Sequence, residues 1–238
     1  MAPDLRGYGR TERRGPYDTA TLAADVAGLV RALGHRSAAL VAHDWGGVIG
    51  WSAAARHPEV VARLAVLNAP PLPALAAEAL RNPRQARRSA YVAYFQLPVL
   101  PERLLTRHGA AQIARALRGG SHVRAAWPPE ELAHYRAAFA DRRAAAAALA
   151  YYRSAVRRLG AERRSARRSP VEAPVLILWG LRDRFLGLGT VSPRRLRPYL
   201  APGNIPELRV HEDAGHFLQN EAPEWVNRQL LRWLATYS

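Results

Sequence analysis

Three polar residues able to do nucleophilic and acid–base chemistry stand at the ends of apolar stretches. Asp44 ends LVAHD, Asp183 follows VLILWG, and His216 lies in EDAGH. A carboxylate can attack an sp³ carbon to form an alkyl ester. A histidine oriented by a second carboxylate can then deprotonate the water that splits this ester. The residues predict Asp44 as nucleophile, His216 as base and Asp183 as its orienting acid.

The residues around Asp44 predict a tight turn between a strand and a helix. In AHDWG, the small residues Ala42 and Gly46 flank the aspartate two positions away on either side. This spacing is the small-x-nucleophile-x-small pattern of a nucleophile elbow, a strained turn in which strand and helix approach closely. Serine usually occupies the central position, so aspartate there changes the expected reaction from acyl transfer to alkyl-ester formation.

Strands and helices must alternate to position these three residues. One helical face carries Leu22, Val26, Leu29, Val30 and Leu33, and the apolar run ending at Asp44 predicts a parallel strand covered on both sides. The sequence predicts helices at 19–33, 47–58, near 192–200 and at 222–237, and strands at 37–43, 61–70, 173–180 and 207–213.

The composition changes between the second and third predicted strands. Residues 72–169 are rich in arginine, alanine and aromatic residues and show no clear buried strand. The pattern predicts an α/β fold with a mostly parallel sheet, in which 1–71 and 170–238 form the core and 72–169 form an inserted helical cap. Ligands of such sheets bind at the carboxyl ends of the strands, where the three polar residues stand.

Composition limits the other functional classes. The 238 residues carry a net charge of +16, and all 35 basic residues are arginines. They are spread along the chain, which favours a solvated basic surface over nucleic-acid binding. The absence of cysteine excludes thiol catalysis and cysteine-ligated metals. No apolar stretch predicts a membrane span or a signal peptide, so we expect a cytoplasmic protein; its oligomeric state is left open.

Several motifs together carry a family resemblance. They are APDLRGYG at 2–9, HDWGG at 43–47, LNAP at 67–70, WGLRD at 179–183 and EDAGHFLQNEAPEWVN at 212–227. The chain resembles the epoxide hydrolases of the α/β-hydrolase fold, which have haloalkane dehalogenases as close relatives. The triad order, nucleophile then acid then histidine, agrees with this fold. The resemblance implies a small apolar epoxide and water as substrates, with no cofactor or metal.

The resemblance also implies two tyrosines in the cap. In epoxide hydrolases, two phenol groups stabilise the alkoxide that forms as the epoxide ring opens. The segments SAYVAYFQLP and ALAYYRSAVR are similar to those that carry them and indicate Tyr91 and Tyr152, with Tyr94 and Tyr151 as the neighbouring alternatives. Trp45 follows the nucleophile, so its backbone N–H is predicted in the oxyanion hole and its ring in the pocket wall or, in a dehalogenase, at the halide.

One family element is missing from the sequence. Relatives carry an HGxP loop upstream of the APDLRGYG motif, and this loop supplies the other oxyanion-hole N–H; here APDLRGYG begins at residue 2. We therefore expect an N-terminally shortened chain, with an apolar strand edge at 37–43, low solubility and low turnover. Three functions follow from the sequence: an epoxide hydrolase, a haloalkane dehalogenase, or a catalytically impaired relative.

Overall fold

The fold is built on a parallel sheet of four strands. The computed structural model describes residues 1–139 and 141–236. The strands among these residues are β1 (Ala38–His43), β2 (Val61–Leu67), β3 (Val175–Gly180) and β4 (Glu207–His211). They lie in the order β1-β2-β3-β4, and each pair of neighbours is parallel. All four carboxyl ends therefore meet at one edge of the sheet, as the sequence predicts.

Helices surround this sheet on both faces. Before β3 they are α1 (Thr19–Ala32), α2 (Asp44–Arg56), α3 (Leu72–Ala79), α4 (Pro83–Arg88), α5 (Tyr91–Tyr94), α6 (Leu100–Gly120), α7 (Pro129–Ala138) and α8 (Arg142–Arg168). After it come α9 (Pro193–Leu196), α10 (Leu218–Glu221) and α11 (Pro223–Ala235). Tyr237, at the end of the last predicted helix, lies outside the described residues.

The two central strands form the core of the molecule. Alternate residues of β2 and β3 face opposite sides of the sheet because side chains alternate along a strand. One side packs with α1 and α2, and the other packs with α11 through Trp233. Every residue of β3 is buried. Runs of apolar residues without alternation are therefore the pattern of strands covered on both faces.

The edge strand β1 differs from its prediction. The sequence predicted a strand covered on both sides, but β1 pairs only with β2 among the described residues, and Val41 is 49% exposed. That part of the prediction is wrong, because coverage depends on neighbouring elements and not on the strand's own composition. The expected apolar edge at 37–43 is confirmed.

Helix α1 buries fewer of its apolar residues than the sequence predicts. Its N-cap Asp18 accepts a hydrogen bond from the Thr21 N–H, which pairs one free donor of the first turn. Leu22 and Val30 are buried as predicted. Leu33 is 44% exposed, so its predicted place on the buried face is wrong. It is the C-cap residue and lies beyond the last full turn.

Helix α2 packs unusually close to β2 and to the residues after it. A Cβ atom added to Gly47 would lie 2.3 Å from the Ala69 Cβ, a distance that real Cβ atoms do not tolerate. Farther along the helix, the Trp51 indole N–H donates a hydrogen bond of 2.9 Å to the Ala69 carbonyl. The glycine therefore allows the approach, and the tryptophan fixes the helix in this position beside the sheet.

The described residues between β2 and β3 contain helices α3 to α8 and no strand. Helix α6 is two helical segments joined by a kink, where His108, Gly109 and Ala110 take left-handed backbone conformations. The long helix α8 begins at the N-cap Asp141, whose carboxylate accepts from the Arg143 and Ala144 N–H groups. It buries Tyr151 and a row of alanines against the core.

Two features are not found among the described residues. None of their helices combines the length and the apolar character that crossing a membrane requires. Within the same residues, no group of three or more histidine, cysteine, aspartate or glutamate side chains is arranged to hold a metal ion.

The close packing of α2 predicts a stability difference between two glycine substitutions. Gly47→Ala should lower the free energy of unfolding by about 1–3 kcal/mol, because the added methyl overpacks the contact with Ala69. Gly28→Ala in α1 meets nothing within 4 Å and should raise it by about 0.5–1 kcal/mol, since alanine restricts the unfolded chain. Urea unfolding measures both, and shifts of equal size and sign would contradict this account of the helix–sheet contact.

Candidate active site

Asp44 stands at the turn between β1 and α2 in a strained backbone conformation. Its φ of 49° lies in the left-handed region, which non-glycine residues adopt rarely and at a cost. The conformation directs the carboxylate out of the turn, and 43% of the side chain is exposed. The nucleophile elbow that AHDWG predicts is therefore present in its geometry.

Asp183 is held in the loop that follows β3. One carboxylate oxygen accepts from the backbone N–H groups of Phe185 at 2.7 Å and Leu186 at 2.9 Å. The other accepts from the Asn68 side-chain amide at 2.8 Å and faces His216. With its side chain fully buried and four partners in place, this carboxylate has one orientation.

Asn68 is a supporting residue to which the sequence analysis assigned no role. It follows β2 with a φ of 42°, is fully buried, and accepts from the Gly180 N–H at 2.9 Å through its side-chain oxygen. Its amide nitrogen donates to Asp183. The available signal was its place at the carboxyl end of a buried strand in LNAP, a motif noted only as part of the resemblance.

His216 joins the two carboxylates. Its Nδ1 lies 2.9 Å from Asp183 Oδ2, and its Nε2 lies 3.5 Å from Asp44 Oδ1. The loop that carries it approaches the end of β3 closely, since a Cβ atom on Gly180 would lie 2.3 Å from the Gly215 carbonyl oxygen. The structure thus brings together the three residues that the sequence predicts as nucleophile, base and orienting acid.

Charge is shared across this triad. Burial opposes the charged imidazole of His216, but the carboxylates of Asp183 and Asp44 outweigh it and raise the pKa to about 10. Burial alone would raise the pKa of the Asp44 carboxyl. The facing His216 imidazolium outweighs burial and lowers that pKa to about 2. At neutral pH the resting pair is therefore an Asp44 carboxylate and a His216 imidazolium.

His43 supports His216 from the end of β1, and no role was predicted for it. Burial lowers its pKa to about 4, so its ring is neutral at neutral pH. Its Nε2 lies 2.8 Å from the His216 carbonyl oxygen, and its Nδ1 lies 3.3 Å from the Gln219 amide nitrogen. These contacts fit a ring that donates to His216 and accepts from Gln219. The residue type alone, next to the nucleophile, was the available signal.

Tyr91 and Tyr152 of the cap line the cavity above Asp44, and their neighbours Tyr94 and Tyr151 do not. Tyr91 and Tyr152 line the same cavity as Asp44, with ring centroids 5.9 Å apart. Tyr151 is fully buried and donates its phenol to the Arg6 carbonyl at 2.6 Å, so its hydroxyl is engaged elsewhere. Tyr94 is not among the residues that line the cavity.

Both phenols remain protonated over a wide pH range. Burial raises the pKa of Tyr91 and Tyr152, and the negative charge of Asp44 raises both further. A phenol in such surroundings donates a hydrogen bond readily and ionises reluctantly. The Trp45 ring packs edge-on against Tyr152 at 5.0 Å and forms part of the cavity wall.

Arg153 ties together the two helices that carry the tyrosines. It lies beside Tyr152 on α8 and donates to the carbonyl oxygens of Phe95 at 2.9 Å and Leu97 at 2.6 Å, just after α5. It also forms an ion pair of 2.6 Å with Glu102. These bonds fix the relative positions of Tyr91 and Tyr152.

The cavity above Asp44 has a volume of about 270 Å³. Among the described residues, Asp44, His216 and the two tyrosines are the only charged or titratable ones in its lining. The remaining wall is mainly apolar and includes Val48, Leu72, Leu75, Val92, Leu159 and Leu186. Such a cavity fits a small uncharged molecule with a reactive carbon near the carboxylate.

Comparison with known proteins identifies the fold family and several relatives of the chain. A family model for the alpha/beta hydrolase fold matches residues 1–223. Epoxide hydrolase 3 of Xenopus tropicalis is 33% identical over 235 residues, which cover 96% of this chain and 62% of that protein. Epoxide hydrolase A of Mycobacterium tuberculosis is 31% identical in a match that covers 98% of this chain and 81% of that protein.

Solved structures agree on the fold. A crystal structure of Bacillus megaterium epoxide hydrolase superposes with a TM-score of 0.78 at 24% identity, covering 98% of this chain and 82% of that chain. At this identity the likeness shows the fold alone. With the family match over most of the chain and the relatives above, the chain belongs to the α/β-hydrolase fold family and is an epoxide hydrolase-like member of it.

Proposed function

We propose that this protein hydrolyses small apolar epoxides to vicinal diols through an ester on Asp44. The observation that carries the proposal is the convergence of Asp44, Tyr91 and Tyr152 on one apolar cavity, with His216 3.5 Å from the carboxylate. A carboxylate facing two phenols is suited to a substrate in which attack at carbon releases an oxyanion. The names of the relatives support the same substrate class.

In the first step, an Asp44 oxygen attacks an epoxide carbon while the ring C–O bond breaks. The bonding electrons go to the ring oxygen, and the phenols of Tyr91 and Tyr152 stabilise the resulting alkoxide by hydrogen bonds. The alkoxide takes up one proton, and His216 gives one up. The product of this step is a hydroxyalkyl ester of Asp44 beside a neutral imidazole.

Loss of the negative charge of Asp44 favours the deprotonation of His216. The imidazolium of the resting protein is stabilised by two carboxylates, and esterification removes one of them. The pKa of His216 must then fall from about 10, because only Asp183 still favours the charged ring. Formation of the ester therefore turns His216 into the base that the second step requires.

In the second step, His216 takes a proton from water and the hydroxide adds to the ester carbonyl. We assign to the Trp45 backbone N–H the role of donating a hydrogen bond to the oxyanion that forms at this carbonyl. The acyl C–O bond then breaks, and the proton of the new Asp44 carboxyl passes to the departing diol oxygen. This restores the Asp44 carboxylate and the His216 imidazolium, so that one epoxide and one water give one diol.

The division of the chain follows the same proposal. We assign residues 1–71 and 170–238 to the core and 72–169 to the cap, since the strands of the described residues lie only in the first two ranges. The core supplies Asp44, Asp183 and His216, and the cap supplies the tyrosines. Cofactor-free chemistry, a cytoplasmic location and the absence of a nucleic-acid partner stay predictions of the sequence.

The covalent step is tested by trapping the ester. Asp44→Asn should abolish turnover of styrene oxide, because an amide is a poor nucleophile. His216→Gln should still form the ester and accumulate it, because the base for its hydrolysis is lost. Mass spectrometry of the peptide that carries Asp44 measures the adduct. If the adduct is absent from the His216 variant while the unaltered chain still forms diol, the ester mechanism is refuted.

The tyrosine pair is tested by removing single hydroxyl groups. Tyr91→Phe and Tyr152→Phe should each slow ester formation from styrene oxide by about 10- to 1,000-fold, as expected for loss of one donor to a developing oxyanion. Tyr94→Phe is the matched control and should leave the rate unchanged. Ester formation from a 1-haloalkane, which releases no alkoxide, should be insensitive to all three changes.

The outcomes separate the two enzyme classes. Full epoxide activity in both cavity variants would overturn the role of the tyrosines. Halide release from 1-haloalkanes, without diol formation from styrene oxide by the unaltered chain, would replace the proposed function with that of a haloalkane dehalogenase.

The charge change at Asp44 predicts opposite pH responses of the two steps. Between about pH 5 and pH 9, ester formation should be constant, because Asp44 stays ionised above its pKa of about 2 and His216 stays charged below about 10. Ester hydrolysis should slow as the pH falls, since protonation removes the base. The esterified fraction, measured after acid quench, should therefore rise at low pH. A fraction that rises with pH would contradict the assignment.

A further inference from the structure

A carboxylate outside the triad bonds to four backbone N–H groups. Oε2 of Glu221, at the end of α10, accepts from His122 and Val123 at 2.8 Å each and from Gly215 at 2.9 Å. Its Oε1 accepts from Phe217 at 3.2 Å. We call this arrangement the Glu221 clamp. Backbone donors around a carboxylate make charge-assisted hydrogen bonds, which are stronger than those between neutral groups.

The four donors come from two distant parts of the chain. His122 and Val123 lie in the cap, between α6 and α7, about a hundred residues before Glu221. Gly215 and Phe217 flank the catalytic His216 on either side. The clamp therefore joins the cap directly to the loop that holds the base.

Packing around the clamp reinforces this connection. The Phe217 ring meets the cap residue Trp127 edge-on, with centroids 5.0 Å apart. Trp127 is buried and donates its indole N–H to Ser121 of the cap. A Cβ atom on Gly215 would lie 2.9 Å from both Glu221 Oε1 and the His122 nitrogen, so the two segments approach as closely as glycine allows.

We propose that Glu221 is a positioning residue that makes ester hydrolysis depend on the seating of the cap. It touches neither the cavity nor the triad side chains, and it acts through the backbone on both sides of His216. Ester formation uses the tyrosines of α5 and α8, and neither of them is among the hydrogen-bond partners of Glu221. The inference rests on the proposed function, because it separates the two steps of that reaction.

The first test removes the clamp and resolves the two steps. Glu221→Ala should slow hydrolysis of the Asp44 ester by about 10- to 100-fold, as expected for a small displacement of a catalytic group, and leave ester formation from styrene oxide within about 2-fold. Glu221→Gln keeps one oxygen that can accept at the Oε2 position, so it should fall between Glu221→Ala and the unaltered chain. Rapid acid quench and mass spectrometry of the Asp44 peptide measure both rates.

Glu224→Gln is the matched control. It makes the same change three residues away, on a side chain that is 91% exposed, and should alter neither rate. Equal slowing of both steps in Glu221→Ala, or no slowing of hydrolysis, would overturn the inference while the ester itself still formed. Absence of the ester from the unaltered chain and from His216→Gln would instead overturn the proposed function, and this inference with it.

A second pair of variants tests the clamp from the cap side if Glu221→Ala does not fold. Val123→Pro removes one donor to Glu221, and it requires the φ of −90° at this position to shift by about 25° toward the value that proline imposes. Val123→Ala shortens the side chain but keeps the N–H. Hydrolysis should slow in the proline variant alone. Equal hydrolysis rates in the two variants would show that the cap does not act through this bond.

Discussion

The ion pair between Asp44 and His216 is the interaction on which the rest of the site depends. Two carboxylates share one imidazole in a partly buried pocket, and such charges are costly unless each is paired and hydrogen-bonded. The surrounding residues meet this requirement. Asp183 accepts hydrogen bonds from two backbone N–H groups and from the Asn68 amide. The ring of His43 contacts the carbonyl oxygen of His216. The triad is thus a charged group held by neutral partners.

Backbone strain at Asp44 is maintained by the packing of α2 against the sheet. A positive φ at a non-glycine residue costs on the order of 1 kcal/mol or more, and it persists only where the surroundings determine it. Gly47 lets α2 approach the end of β2, and Trp51 fixes the helix to Ala69. The position of the Asp44 carboxylate therefore depends on contacts that involve no catalytic group. Asn68, also at positive φ, repeats this arrangement at the next strand end.

Much of the core was predictable because parallel strands bring their carboxyl ends to one edge. Polar residues after apolar runs therefore indicated Asp44, Asp183 and His216 before any contact was known. The tyrosines were harder, because Tyr151 and Tyr152 are adjacent in a helix and only their distant partners separate them. The carbonyl of Arg6 engages one, and the cavity receives the other.

The roles of the supporting residues were harder to predict for the same reason. Asn68 bonds to Asp183, and Glu221 bonds to His122 and Val123 as well as to its neighbours; these partners about a hundred residues away are not specified by any local pattern. The predicted burial of β1 failed because the exposure of its side chains depends on which elements cover its two faces, and an apolar composition does not specify them: β1 alternates in burial, whereas the equally apolar β3 is buried throughout.

The proposed reaction needs the same histidine in opposite protonation states at successive steps. A fixed environment cannot favour both, but the substrate can switch between them, because alkylation removes the charge of Asp44. The cap then acts on the first step through its phenols, and the strand-end loops act on the second through His216. A contact between the cap and the His216 loop can affect the second step only if the cap must stay in place on the core after the epoxide ring has opened. The carboxylate of Glu221, placed between the two, provides that link.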